Sequence, residues 1–293
     1  MKKLLKNTLL FVIIVAVFDY ILGTGFTFMR DHAGCGTFQE LKYAAEECDD
    51  DVLIFGSSRA LHHYDPKVIS DSLNLSCHNF GHEGMCVLYS YGLLQLISSH
   101  HVPKIIICDY CRFDSKKEDP LTYLADLRPY YDNPGIKSFF QDVVPLEKVK
   151  NLSLLYRFNS KSLQLFNGMM NKKKITNGFQ PLKGHIKKYK ETVYGSDVDS
   201  VKYKYMTRMI EWCQENDVQL IFFISPFYNG LNHTFPSEYK KLFEQYGIRF
   251  YDNQDIDGFT YSAEFFKDRT HLNREGAGAY TQYIIHQIRE AIK

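Results

Sequence analysis

Asp51-Val52-Leu53-Ile54-Phe55-Gly56-Ser57-Ser58-Arg59 is the stretch on which the reading of this chain turns. An unbroken apolar run of this length suits a strand buried on both faces, and such strands belong to parallel sheets. Gly56 ends the run, and small polar residues fill the turn that follows. A serine there can lift its hydroxyl above the carboxyl edge of the sheet, where doubly wound folds gather their ligands. The next helix would present N–H groups able to stabilise an oxyanion.

Working outward, the same alternation continues. Asp65-Pro66 opens a helix, with aspartate as cap and proline at the first helical position. His78-Asn79-Phe80-Gly81 reads as a second short strand with its turn, and 87–99 as a helix by apolar spacing. Residues 104–109 form a third strand, 203–215 an amphipathic helix, and 219–224 a fourth strand stopped by Ser225-Pro226. Residues 237–246 are helical, 249–252 a short fifth strand, and 276–292 a closing helix. Strands alternating with helices predict an α/β fold: a three-layer α/β/α sandwich on a flavodoxin-like parallel sheet.

Residues 112–200 break the rhythm, with many aromatics, several glycines and prolines, and no clear strand. A crossover needs far fewer residues, so this is an insertion, expected to be a helical lid or cap. Within it, 172–190 carries seven lysines and no acid. Such a run is either a solvated loop or a patch for anionic lipid or polymer.

Lys2, Lys3 and Lys6 precede a run at 8–28 broken by one charge, Asp19. About 20 apolar residues cross a hydrocarbon core of roughly 30 Å. The lysines predict a cytoplasmic N-terminus and an extracytoplasmic remainder: a single-pass protein of the cytoplasmic (inner) membrane. A cleaved signal peptide or a buried core helix are the alternatives. Asp19 fits least well, and belongs either near the outer interface or against a partner helix. The expected organisation is a membrane anchor at 1–28, a connector at 29–50 and an α/β domain at 51–293 carrying the insertion 112–200.

Composition adds little. The 293 residues are 45% hydrophobic and 24% charged, with a formal net charge of +1, so no nucleic-acid partner is expected. Seven cysteines include a C-x-x-C at Cys108 and Cys111, but it ends an apolar run and has no second pair to make a zinc ribbon. Buried free thiols are the default. In an oxidising compartment Cys35–Cys48 or Cys77–Cys86 would be the nearest pairs. No metal and no organic cofactor are assigned. His62-His63 and His100-His101 read as surface residues.

The second chemical segment is Asp268-Arg269-Thr270-His271-Leu272-Asn273, just before the closing helix. A serine needs a neighbouring base to act as a nucleophile. A D-x-x-H turn supplies the base and a carboxylate that fixes its tautomer. Ser58 early, a glycine after the second strand and D-x-x-H near the C-terminal end resemble the SGNH (GDSL-like) hydrolase superfamily, over roughly 50–111 and 200–293. The resemblance implies Ser58 as nucleophile, with Asp268 and His271 completing a triad and the Ser58 and Gly81 backbone N–H groups forming an oxyanion hole. Ser57 replaces the aspartate of the family's G-D-S. The G-S-S start and the anchor are similar to an envelope branch that includes teichoic-acid D-alanylation proteins and polysaccharide O-acyl transfer factors. The family's asparagine after strand three is missing; Asp109-Tyr110-Cys111-Arg112-Phe113-Asp114 stands there. Arg59, Asn79 and Asn229 are candidate substrate-binding residues.

The function so implied is a serine esterase or O-acyltransferase working through an acyl-serine on an acylated envelope glycan or lipid. The rival is a non-catalytic envelope protein on the same scaffold, binding an acylated polymer or partnering a membrane-bound acyltransferase.

Overall fold

A computed structural model describes residues 1–173, 176–186, 197–229 and 235–293. In chain order, α1 is Lys2–Asp31, α2 Thr37–Lys42, β1 Val52–Gly56, α3 Ser58–His63, α4 Pro66–Leu73 and β2 Cys77–Asn79. Then come α5 Val87–Ile97, β3 Ile105–Asp109, α6 Leu121–Leu124, α7 Pro134–Val143, α8 Glu147–Lys150 and α9 Ser162–Met170. The remainder holds α10 Ser200–Glu215, β4 Gln219–Ile224, α11 Ser237–Tyr246, β5 Arg249–Asp252 and α12 Arg274–Ala291.

The chain divides into two compact units, each assembled from two separate stretches. One comprises Met1–Glu47 and Pro120–Ile175, the other Cys48–Asp119 and Thr176–Lys293. The 112–200 segment is therefore not one insertion in this division. Its central part groups with the N-terminal helix, while 112–119, 176–186 and 197–200 go with the sheet. The reason is visible in the contacts: the Gly34 N–H donates to the Gly168 carbonyl, and the Lys173 N–H donates back to Gly34. Of the lysine run, Lys174, Lys187, Lys188 and Lys190 lie outside the described residues.

The sheet unit has five parallel strands in the order β2-β1-β3-β4-β5, the flavodoxin-like order. Strand side chains alternate between faces. Val52, Ile54, Ile105, Ile107, Ile221 and Phe223 pack under α4 and α12 with Tyr280, Ile284 and Ile288. On the opposite face Phe55, Cys108 and Phe222 meet Val87 of α5 and Met206 and Met209 of α10. Phe222 also lies 4.5 Å, centroid to centroid, from Phe243 of α11. Helices cover both faces, so the unit is the three-layer α/β/α sandwich expected from the strand–helix alternation. The strand order reverses between β1 and β3, which sets the ligand crevice beyond their carboxyl ends.

All seven cysteines are buried and unpaired, which corrects the Cys35–Cys48 and Cys77–Cys86 pairings. Burial pushes the Cys108 and Cys111 thiols up, leaving them unreactive.

Candidate active site

β1 ends at Gly56 with φ +144, and a Cβ there would meet the Asp109 carbonyl oxygen at 2.8 Å. Only glycine turns the chain this close to β3. Ser57 caps α3, accepting from the Arg59 N–H at 3.4 Å. Ser58 follows at the first helical position, with its side chain toward the crevice.

The structure brings the three candidate catalytic residues together. Ser58 Oγ lies 2.8 Å from His271 Nε2. His271 Nδ1 lies 3.0 Å from Asp268 Oδ2 and 3.1 Å from Oδ1. Asp268 is itself fixed by its own turn, accepting the backbone N–H groups of Thr270 at 2.8 Å and His271 at 2.9 Å. Burial pushes this carboxyl up, but the His271 contact and the Thr270 donors outweigh it and hold the group at about 2. An ionised Asp268 accepts a hydrogen bond from Nδ1–H and leaves Nε2 free to accept from Ser58. Asn273 then caps α12 through the Gly276 N–H at 2.9 Å. The pair opens on a cavity of about 250 Å³ whose walls include Glu83, Gly84, Arg112, Phe113 and Phe227.

The other expected site residues are placed differently. The Gly81 N–H donates to Asn79 Oδ1 at 2.8 Å, so it is not available to an oxyanion. Its lack of a side chain serves packing, because a Cβ would meet the Leu61 nitrogen at 2.3 Å. Asn79 is fully buried and spends its amide on the Ala60 and Tyr64 carbonyls at 2.7 and 3.0 Å. It ties α3 to β2 and does not face a substrate. Asn229 is an exposed turn residue at φ +59, its N–H bonded to the Thr260 carbonyl at 3.0 Å. Asparagine tolerates that left-handed conformation, which accounts for it without a ligand.

Arg59 belongs to the cavity wall, but its guanidinium is committed. Nε pairs with Asp109 at 3.2 Å, Nη2 donates to the Ser225 carbonyl and to Ser225 Oγ, and the group lies over Phe227 at 3.6 Å. Nη1 is shielded from solvent and has no hydrogen-bond partner among the described residues.

The adjacent histidines are buried, not on the surface. His62 faces the Gln180 carbonyl at 2.5 Å through Nδ1 and Glu83 Oε1 at 2.7 Å through Nε2. His63 accepts the Leu272 N–H at Nε2, 3.0 Å away, so Nδ1 carries its proton and donates to Ser225 Oγ at 2.8 Å. Burial, then the neighbouring Arg59 charge, holds His63 well below the usual histidine range. Ser225 Oγ donates in turn to Asp109 at 3.1 Å.

After β3, Asp114 takes the Val87 and Cys111 N–H groups at 2.6 and 2.8 Å. Burial pushes it up to about 6 despite those donors. It anchors the loop holding Arg112 and Phe113, which sequence reading did not select. Their position directly after β3, across the switch point from Ser58, was the available signal.

No protein-family model matches the chain, and no curated protein matches it either. Among solved structures, it is similar to one described as a lipolytic protein of the G-D-S-L family from Desulfitobacterium hafniense DCB-2. Identity is 14%, with 80% of this chain and 97% of that one covered at a TM-score of 0.42. It is also similar to one described as an acylhydrolase from Bacteroides fragilis NCTC 9343. Here identity is 13%, coverage 87% and 96%, and the TM-score 0.41. Likenesses this distant leave the reaction to be read from the residues.

Proposed function

We propose that this chain is a serine hydrolase or acyltransferase of the SGNH (GDSL-like) kind. The observation that carries the proposal is the hydrogen-bonded series Ser58–His271–Asp268, opening on a cavity at the switch point of the sheet. In the first half-reaction Ser58 Oγ bonds to the ester carbonyl carbon while its proton passes to His271 Nε2. Collapse of the tetrahedral intermediate breaks the bond to the alcohol, which leaves with that proton. Water then releases the acid from Ser58 in an esterase, or a sugar or polyol hydroxyl takes the acyl group in an O-acyltransferase. Asp268 stays ionised and orients the imidazole throughout. Ser58 remains the proposed backbone donor to the oxyanion, while the Gly81 N–H is held by Asn79.

The cavity of about 250 Å³ falls below the roughly 300–1,000 Å³ of pockets that enclose drug-sized ligands. It suits a short acyl group whose carrier, glycan or lipid headgroup, stays outside. Among the described residues one helix, Lys2–Asp31, is long and apolar enough to cross a membrane, a property a signal sequence shares. We read it as an anchor that keeps the sheet unit outside the cytoplasmic membrane, beside acylated envelope material.

The engaged Gly81 N–H and the missing asparagine favour a second reading, a non-catalytic scaffold that binds acylated polymer or partners a membrane-bound acyltransferase. A fluorophosphonate probe separates the two. Covalent labelling that disappears in Ser58→Ala supports the enzyme; a folded wild-type protein that never labels supports the binder.

A further inference from the structure

Asp19 interrupts the apolar run at 8–28, and the N-terminal unit supplies its partners. Its carboxylate accepts from the Ser153 hydroxyl and from the Leu154 and Leu155 N–H groups, the latter two at 2.9 and 3.2 Å. The contact continues along one face of α1. Gly23 presses on Leu154, where a Cβ would meet Leu154 Cβ at 2.2 Å, and Phe26 meets Phe158 at 5.8 Å between centroids. Arg30 donates to the Pro129 carbonyl and lies over Tyr130 at 4.7 Å. Positions 19, 23, 26 and 30 recur at helical spacing, so a single stripe of α1 is packed from Asp19 onward. From Met1 to Phe18 every residue is exposed.

The lengths decide where this places 153–158. The bare apolar part, from Thr8 to Phe18, rises about 16 Å at 1.5 Å per residue. That is about half of a hydrocarbon core of roughly 30 Å. If α1 crosses a bilayer, its remaining half must come from residues beyond Asp19, and these are the residues packed on 153–158. A carboxylate at that depth is tolerated only with its hydrogen bonds filled by protein, and Ser153, Leu154 and Leu155 fill them.

The segment around these partners has a surface to match. Leu152, next to Ser153, is 76% exposed. On α9, Leu163, Phe166 and Met170 are 84%, 60% and 69% exposed, while Leu165 and Gly168 are buried. The exposed three fall at i, i+3 and i+7, one face of the helix. Lys148, Lys150, Lys172 and Lys173 flank the apolar stretch, as interfacial segments near anionic headgroups require.

We infer that residues 152–170 are a membrane-inserted element: they enter the outer leaflet beside α1, satisfy Asp19 there, and set Leu152, Leu163, Phe166 and Met170 against lipid. This rests on the reading of α1 as a membrane span. The occupant of the apolar face is the bilayer, because the face is continuous with that span.

The test uses the full-length protein in vesicles of phosphatidylcholine and phosphatidylglycerol. Single nitroxide labels go on Val12→Cys, Leu163→Cys, Phe166→Cys, Met170→Cys and, as the aqueous reference, Lys240→Cys. The native thiols are buried, so label goes to the introduced ones, and the exposed positions tolerate substitution. Collision with oxygen relative to a soluble nickel chelate reports depth. The expected result is a ratio at 163, 166 and 170 several-fold above that at 240, and lower at 170 than at 12, because the Gly34–Gly168 bond holds the end of α9 past residue 28. A lipid-like value at 12 with water-like values at 163, 166 and 170 overturns the inserted element and leaves the anchor standing. A water-like value at 12 overturns the span, and the inserted element with it.

Discussion

Among its described residues the sheet unit holds two serine–histidine–aspartate constellations, and only one of them has the proton direction and the opening that the proposed chemistry needs. In the first, Ser58 meets His271 at 2.8 Å and the carboxylate of Asp268 sits behind the histidine. In the second, Ser225 meets His63 at the same 2.8 Å, but Asp109 sits on the serine. The order matters. Asp268 leaves Nε2 facing the hydroxyl as a base, whereas His63 is itself the donor to Ser225 and its other nitrogen is occupied by the Leu272 N–H. Ser225 receives from both His63 and Arg59, so its oxygen lone pairs are committed. The second constellation is also closed, with His63 and Ser225 fully buried, while Ser58 and His271 line the cavity. Residue types and distances are thus insufficient to mark a triad; proton direction and access to a cavity complete it.

The sharpest way to break this contrast is to remove each hydroxyl. Ser58→Ala should abolish fluorophosphonate labelling and acyl transfer, a loss on the order of 10⁶-fold in kcat where a triad acts as a unit. Ser225→Ala should still label, at a stability cost of about 1–3 kcal/mol for the buried partners it leaves. Equal loss of labelling in folded samples of both would erase the distinction.

Next come the carboxylates. Asp268→Asn should lower kcat by about 10⁴-fold with the fold intact, because the imidazole loses its tautomer. Asp109→Asn should instead cost about 3–5 kcal/mol, since the buried Arg59 charge is left without its partner. Denaturant midpoints read beside single-turnover rates distinguish the two, and a silent Asp109→Asn would show the buried cluster to be dispensable.

A smaller effect concerns pH. His63 is held below the ordinary 6.5 in the folded protein, so below that value the unfolded chain binds a proton that the native state refuses. Stability therefore falls as pH drops under 6.5, by up to about 1.4 kcal/mol per pH unit for this one group. Asp114, raised from 3.8 to about 6, acts in the opposite sense across that window. The difference between wild type and His63→Gln isolates the histidine: the wild-type advantage should shrink from pH 6.5 to 5.5. A constant difference would mean that His63 titrates alike in both states.

The smallest change lies outside both constellations. Asn229→Gly should keep full labelling and shift stability by no more than about 0.5 kcal/mol, measured by the same melts. A marked loss of acyl transfer would return Asn229 to the site.

Much of the fold was legible in the sequence because its strands are short, fully apolar and punctuated. The runs at 104–109, 219–224 and 249–252 match β3, β4 and β5 to within a residue. The Asp268–His271 turn was legible for a similar reason, since its contacts are local in sequence. What escaped was long-range and conformational. α3 has only six residues, too few to display a face, so nothing in Arg59, His62 or His63 announced that all would be buried. The use of the Gly81 N–H depended on the rotamer of Asn79, which no spacing reveals. Asp109 and Ser225 looked like strand ends, and became a hub only because β3 and β4 are neighbours.

The interleaving of the two units carries a consequence for synthesis. Ser58 and His271 are separated by 213 positions, which at ribosomal rates of about 5–20 residues per second is about 10–40 s. During that interval Ser58 has been made and His271 has not, so the proposed nucleophile waits without its base. Asp19 waits in the same way, across 134 positions, for Ser153. Each unit can close only when its second stretch arrives, so the order of emergence sets when Ser58 and His271 can first meet.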